Sequence, residues 1–169
     1  HVVTQNELKQ GQHPFHFELH YSPMHQATYN RDPSGYASRM HGADPDLAVH
    51  IKIIKAHGIV LSGSPIASVF NRVSDAAYLQ SVMADIDDAP VAILQSPMYT
   101  ILNLCRTLAY LFDGKILSKR GGGEWALEQL PDLDLECVQV ALTWYTGNSV
   151  QTIWPSNDRL VNFAENMLQ

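Results

Sequence analysis

The stretch MYTILNLCRTLAYLFD, residues 98–113, decides the fold class of this chain. Its apolar residues recur at i, i+3 and i+4 spacing, which is typical of an amphipathic α-helix. The apolar stripe comprises Met98, Ile101, Leu102, Cys105, Leu108, Ala109 and Phe112. Gly114 follows directly and is expected to end the helix. The stretch therefore predicts a long helix and a domain that is mainly α.

The same spacing predicts further helices on both sides of this one. They cover residues 45–57, 74–87, 135–145 and 156–168, with a short helix over 124–130 that Pro131 ends. Gly58 is expected to stop the first of them in the left-handed conformation, and Ser74 or Asp75 to cap the second. The connections are short, so we expect residues 44–169 to form an antiparallel bundle of about five helices.

The segment before residue 44 has a different period. PFHFELHYS, residues 14–22, alternates apolar and polar residues, which predicts a β-strand. Val2 and Val3 offer one more short strand, and two strands alone are marginally stable in water. Residues 1–43 are therefore expected to be a β segment and connection that completes a sheet lying outside this chain.

Composition and charge narrow the class of protein. The chain has 169 residues, 46% of them apolar, and a formal charge of −6, which fits a folded domain and argues against nucleic-acid binding. No apolar run approaches the roughly 18 residues of a membrane span. Cys105 and Cys137 lie inside apolar helical patterns, so we expect two buried thiols and a cytoplasmic protein.

Positive charge is concentrated in one part of this acidic chain. Arg106, Lys115, Lys119 and Arg120 precede the run Gly121–Gly123, which the pattern places in a loop before a helix. Cations beside a glycine-rich loop and a helix N-terminus are typical of a phosphate site. The alternative is that the lysines only compensate the dipole of the preceding helix and that the glycines form an ordinary loop.

Three other groups of residues have two interpretations each. His16, Glu18 and His20 share one face of the predicted strand, where they could hold a metal ion or face water. Asp85, Asp87 and Asp88 could dock a cationic substrate or belong to a solvated loop. Gly63-Ser64 is similar to the start of a nucleotidyltransferase motif, but no Asp-x-Asp follows it, so we assign it no such role.

Taken together, three segments resemble a known family. They are DPDLAVHIKIIKAHGIVLSGSPIASVF (44–70), ILNLCRTLAYLFDGKILSKRGGGEWALEQLP (101–131) and the pair Trp144-Tyr145. The chain resembles the C-terminal helical half of the aminoglycoside (streptomycin/spectinomycin) adenylyltransferases and their relatives. The resemblance implies an enzyme that transfers AMP from ATP to a hydroxyl of an aminoglycoside-like, cationic acceptor, as in antibiotic resistance.

The resemblance also implies roles for particular residues. Arg106 and Lys119 match residues that hold the phosphates of ATP, and Tyr145 matches an aromatic residue that lines the nucleotide site. Lys115 joins these cations by its position in the chain.

The resemblance assigns Mg²⁺ mainly to an N-terminal nucleotidyltransferase domain, of which residues 1–43 would be the end. No catalytic residue or metal ligand is assigned to this chain, which alone is expected to be inactive. The alternative is a non-catalytic helical binding module or a partner of a separate nucleotidyltransferase. The sequence leaves the acceptor and the oligomeric state open.

Overall fold

Helices dominate the computed structural model of this chain, which describes residues 1–10, 12–130, 134–147 and 153–169. The described residues form eleven α-helices, one short 3-10 helix and a two-stranded antiparallel sheet. The expectation of a mainly α fold with a short N-terminal β segment is therefore confirmed. The chain divides into two compact units, His1–Ser81 and Val82–Gln169. The assignment of residues 1–43 to a separate domain remains a prediction.

The first unit combines short helices with the sheet. Its elements are α1 (Gln5–Gln10), β1 (Phe15–Phe17), the 3-10 helix (Pro23–His25), α2 (Gln26–Arg31), α3 (Pro33–Arg39), β2 (Gly42–Asp44), α4 (Leu47–His57) and α5 (Ile66–Val69), followed by α6 (Asp75–Ala84), which continues past Ser81. Its core contains Phe15, Leu47, Ala48, Ile51 and Val73.

The predicted strand exists but is shorter than its alternating pattern. β1 pairs with β2, so that Phe15 lies opposite Asp44 and Phe17 opposite Gly42. Leu19 instead forms an isolated bridge with Val2. β2 could not be predicted, because Gly-Ala-Asp lacks both β-branched residues and apolar alternation.

The end of α4 corrects one expectation. Gly58 is not left-handed but extended, with φ −68° and ψ 151°, and its N–H donates to the carbonyl of Ile54 at 2.7 Å. A Cβ on Gly58 would lie only 2.4 Å from that carbonyl oxygen. Glycine is needed here for a close approach of backbone to backbone. The cap on α6 is as expected, because Ser74 Oγ accepts the N–H of Ala77 at 3.1 Å.

The second unit carries the long helix. After the end of α6 come α7 (Ala89–Gln95), α8 (Pro97–Asp113), α9 (Lys119–Gln129), α10 (Leu135–Tyr145) and α11 (Asn157–Met167). Gly114 ends α8 as predicted, and its φ of 66° places it in the left-handed conformation. The core includes Ile93, Ile101, Leu102, Val138 and Phe163, all at most 1% exposed.

Two further observations concern the burial of the cysteines and the search for a membrane-spanning helix. Cys105 and Cys137 are both fully buried free thiols, as predicted. No helix in the described ranges is both long enough and apolar enough to cross a membrane.

Candidate functional site

Arg106 lies on the flank of α8, beside rather than within the apolar stripe. Only 11% of its side chain is exposed, and its Nη2 lies 3.7 Å from Oδ2 of Asp85, which is itself largely buried. Its Nε is buried and has no hydrogen-bond partner among the described residues. The guanidinium thus has one loose ion pair and one unused donor.

The glycine run does not form the predicted loop. α9 begins at Lys119, five residues before the expected start at Glu124, because Ser118 caps it by accepting the N–H of Gly121 at 3.0 Å. The three glycines therefore lie inside the helix. A Cβ on Gly122 would lie 2.7–2.8 Å from the backbone and Cβ of Arg106. This residue is glycine because α9 packs directly against the backbone of α8.

This packing places Lys119 in the same neighbourhood as Arg106. Lys119 Nζ lies 4.4 Å from the ring centroid of Tyr99, a cation–π contact. Burial lowers the pKa of Lys119, and the positive charge of Arg106 lowers it further, while Asp85 opposes the shift. We call Asp85, Tyr99, Arg106 and Lys119 the cation cluster. It contains two cations and one carboxylate, a net positive charge in an acidic protein.

The end of α9 adds to this positive potential. The first turn of the helix contains no acidic residue but two basic ones, Lys119 and Arg120. A helix N-terminus already carries a partial positive charge and favours anions. Arg120 is exposed and pairs with Glu124 at 2.7 Å, so its charge is compensated within the helix. Lys119 has no such partner on α9 and is turned to the cluster.

The other two predicted site residues lie at or just beyond the ends of helices. Lys115 Nζ is 2.8 Å from Oδ2 of Asp113, which also accepts the indole N–H of Trp125 at 2.8 Å. These hydrogen bonds from Lys115 and Trp125 lower the pKa of Asp113. The contacts described for Lys115 do not include Arg106 or Lys119, and Asp113 lies two turns beyond Arg106.

Tyr145 is the last residue of α10, and its side chain is partly exposed. The preceding Trp144 stacks on Trp154, with ring centroids 5.8 Å apart. This end of α10 therefore presents an aromatic surface.

Two members of the cluster, Asp85 and Tyr99, are not predicted to accompany the cations by the sequence patterns. The acidic run with Asp87 and Asp88 predicts a substrate-docking or solvated role for Asp85, whereas Asp85 forms the ion pair of Arg106. Asp88 occupies the position before α7, where a negative charge is favourable. Tyr99 lies seven residues before Arg106, so two helical turns put both on one face of α8. That spacing was the available signal.

The histidine face of β1 and an apolar cavity in the second unit lie apart from the predicted cations. His16 Nδ1 lies 3.4 Å from Glu7, and no group of His, Cys, Asp and Glu among the described residues has the geometry to hold a metal ion. A cavity of about 680 Å³ in the second unit is lined by apolar residues such as Met83, Leu111 and Phe112. None of the predicted cations lines it.

Comparisons with known proteins bear on this geometry. The crystal structure of spectinomycin adenyltransferase AAD(9) from Enterococcus faecialis, solved with ATP and spectinomycin, matches with a TM-score of 0.79 at 20% identity. The match covers 99% of this chain and 66% of that chain, and at this identity it shows a shared fold. No curated protein matches the chain in sequence. The family described as "Aminoglycoside adenylyltransferase, C-terminal domain" matches residues 68–169. That range is more than half of the chain and contains every residue of the cation cluster, and the chain therefore belongs to this family.

Proposed function

We propose that this chain is the nucleotide- and acceptor-binding helical part of an adenylyltransferase that transfers AMP from ATP to a hydroxyl of an aminoglycoside-like acceptor. Family membership supports an enzyme related to the nucleotidyltransferases. The observation that carries the finer proposal is the pair of cations formed by the largely buried Arg106 and the half-buried Lys119, which both interact with the carboxylate of Asp85. An anion would complete the charge balance of this cluster.

Each proposed site residue has a role in this reaction. Arg106 and Lys119 contact the phosphates of ATP, and Tyr145 lines the nucleotide site. Lys115, now paired with Asp113, is an outer cation that approaches the phosphates when nucleotide is bound. The chemistry follows from these positions. The acceptor oxygen bonds to the α-phosphorus, the bond to the β-phosphate oxygen breaks, and the cations stabilise the negative charge on the departing pyrophosphate.

Magnesium would be held mainly outside the described residues of this chain. The described residues offer no group of carboxylates that fits a divalent ion. We therefore assign the metal, and the base that takes the proton of the acceptor hydroxyl, to a nucleotidyltransferase domain. This chain alone should bind ATP without transferring AMP.

The test is calorimetric titration of the chain with ATP, comparing wild type with Arg106→Ala and Lys119→Ala. A charge-assisted hydrogen bond contributes about 1.5–3 kcal/mol, so each variant should bind ATP about 10- to 100-fold more weakly. Arg120→Ala is the matched control, because Arg120 is the neighbouring cation on α9 but pairs with Glu124.

Two results would decide against the proposal. Wild-type affinity in both cluster variants would exclude the phosphate role. A wild-type chain that fails to bind ATP would favour the alternative, a non-catalytic helical module. The acceptor can be identified by measuring adenylyl transfer when the chain is joined to a nucleotidyltransferase domain, with spectinomycin and streptomycin as the first substrates.

A further inference from the structure

Asn103 is a buried polar residue in the middle of α8 and has no role in the function proposed above. It is only 1% exposed, and neither its amide nitrogen nor its amide oxygen has a hydrogen-bond partner among the described residues. Burial of an unpaired amide is unfavourable, and an apolar residue of similar shape would be better accommodated there. A purely structural role therefore does not explain an asparagine at this position.

The unused donor on Arg106 is the complement of this unused acceptor. Arg106 follows Asn103 by three residues, so the two side chains are neighbours on one face of α8, with Cβ atoms about 5–6 Å apart. Arg106 Nε is likewise buried without a partner among the described residues. Rotation of the Asn103 amide can present its oxygen to either side of the residue. One unpaired donor thus lies one turn from one unpaired acceptor.

The ion pair with Asp85 does not fix the orientation of the Arg106 guanidinium. Its Nη2 lies 3.7 Å from Asp85 Oδ2, which exceeds the 2.7–3.2 Å of a hydrogen bond. A phosphate that binds through the two terminal nitrogens would leave Nε for an acceptor on the protein. Asn103 is the buried acceptor one helical turn away.

We propose that Asn103 is a positioning residue for Arg106, whose Nε–H donates to Asn103 Oδ1 when a phosphate group occupies the cation cluster. The hydrogen bond fixes the plane of the guanidinium, so that both terminal nitrogens point at the anion. This inference rests on the proposed function, because it requires Arg106 to bind phosphate.

The experiment compares Asn103→Leu and Asn103→Asp with wild type in the same 169-residue chain. Asn103→Leu removes the acceptor and the buried polar atoms, so thermal stability should be equal or higher while ATP binds at least fivefold more weakly. Asn103→Asp adds a carboxylate that competes with phosphate for Arg106, so its ATP affinity should fall further. Thr107→Val is the matched control, because Thr107 is also a buried polar residue of α8 but lines the apolar cavity. Its ATP affinity should equal that of wild type.

A second measurement does not depend on the folding of any variant. In wild-type protein with labelled arginine, titration with inorganic triphosphate should move the Arg106 Nε–H proton resonance downfield, as expected for a new hydrogen bond. An unmoved resonance on saturation, or ATP affinity within twofold of wild type in both Asn103 variants, would overturn the inference. If Arg106→Ala still weakens ATP binding in that case, the proposed function stands without it. If Arg106→Ala has no effect either, both fail.

Discussion

Lys119 is a charged residue placed where charge is unfavourable. It begins a helix at the positive end of the helix dipole and lies beside Arg106, and burial together with that neighbour lowers its pKa. The native state therefore binds fewer protons than the unfolded chain between this lowered pKa and the ordinary value of 10.5. The free energy of unfolding accordingly rises with pH across that window. At any pH below the lowered pKa, the full destabilisation by Lys119 is present.

This sign gives a prediction for Lys119→Met. The variant should be more stable than wild type at pH 7, by about 0.5 kcal/mol or more. It removes the unfavourable burial of a charge beside Arg106, which only function explains. The difference should shrink as the pH approaches 10.5. Urea unfolding of both proteins between pH 6 and pH 10 measures it. A variant less stable than wild type at pH 7 would mean that the contact with Tyr99 outweighs burial of the charge.

The cysteines give a second prediction at the scale of single residues. Burial raises the pKa of both Cys105 and Cys137 to about 12, and neither residue is exposed. Because the thiolate is the reactive form, both should resist a thiol reagent at pH 8 in the native protein and react in denaturant. Stopped-flow labelling counts the thiols. Rapid native reaction of either one would show that its helix opens locally.

At the scale of secondary-structure elements, the packing of α9 against α8 depends on Gly122, which has no side chain. A Cβ on Gly122 would meet the backbone of Arg106 at 2.8 Å, whereas a Cβ on Gly121 would meet only side-chain atoms, at 3.4 Å or more. Gly122→Ala should therefore lower the free energy of unfolding by about 1–3 kcal/mol through overpacking. Gly121→Ala should cause no loss, and could add up to about 1 kcal/mol of helix propensity. Equal melting temperatures for the two variants would contradict this packing.

The same contact explains what the sequence could predict and what it could not. α8 and α10 follow from periodic apolar residues, and the observed bounds agree with the predicted ones within one residue. The start of α9 was missed because a glycine run has low intrinsic helix propensity, and only tertiary packing against α8 overrides it. Asp85 and Tyr99 were missed as partners of the cations because each contact joins residues that are distant in sequence.

At the scale of the whole molecule, an acidic chain keeps a small positive site. If the cation cluster binds inorganic triphosphate as proposed, and only in the native state, the ligand should add about 2.7 kcal/mol to the free energy of unfolding of wild type at 100 times its Kd. The melting temperature of wild type should rise accordingly. Arg106→Ala and Lys119→Ala should lose most of this stabilisation, and Arg120→Ala should retain it. Thermal denaturation with and without triphosphate provides the measurement. The rise in wild type should decline with added salt, because free ions screen the attraction.

The direct packing of Gly122 on Arg106 has a consequence for the entropy of binding. Since the backbone of α9 touches the backbone of α8, the helix that begins with Lys119 has no room to slide or tilt where Arg106 emerges. Arg106 and Lys119 thus lie on two helices that are packed rigidly together. A ligand that bridges the two cations therefore orders only side-chain torsions. Affinity then comes at a smaller loss of conformational freedom than in sites whose charges sit on separate mobile loops.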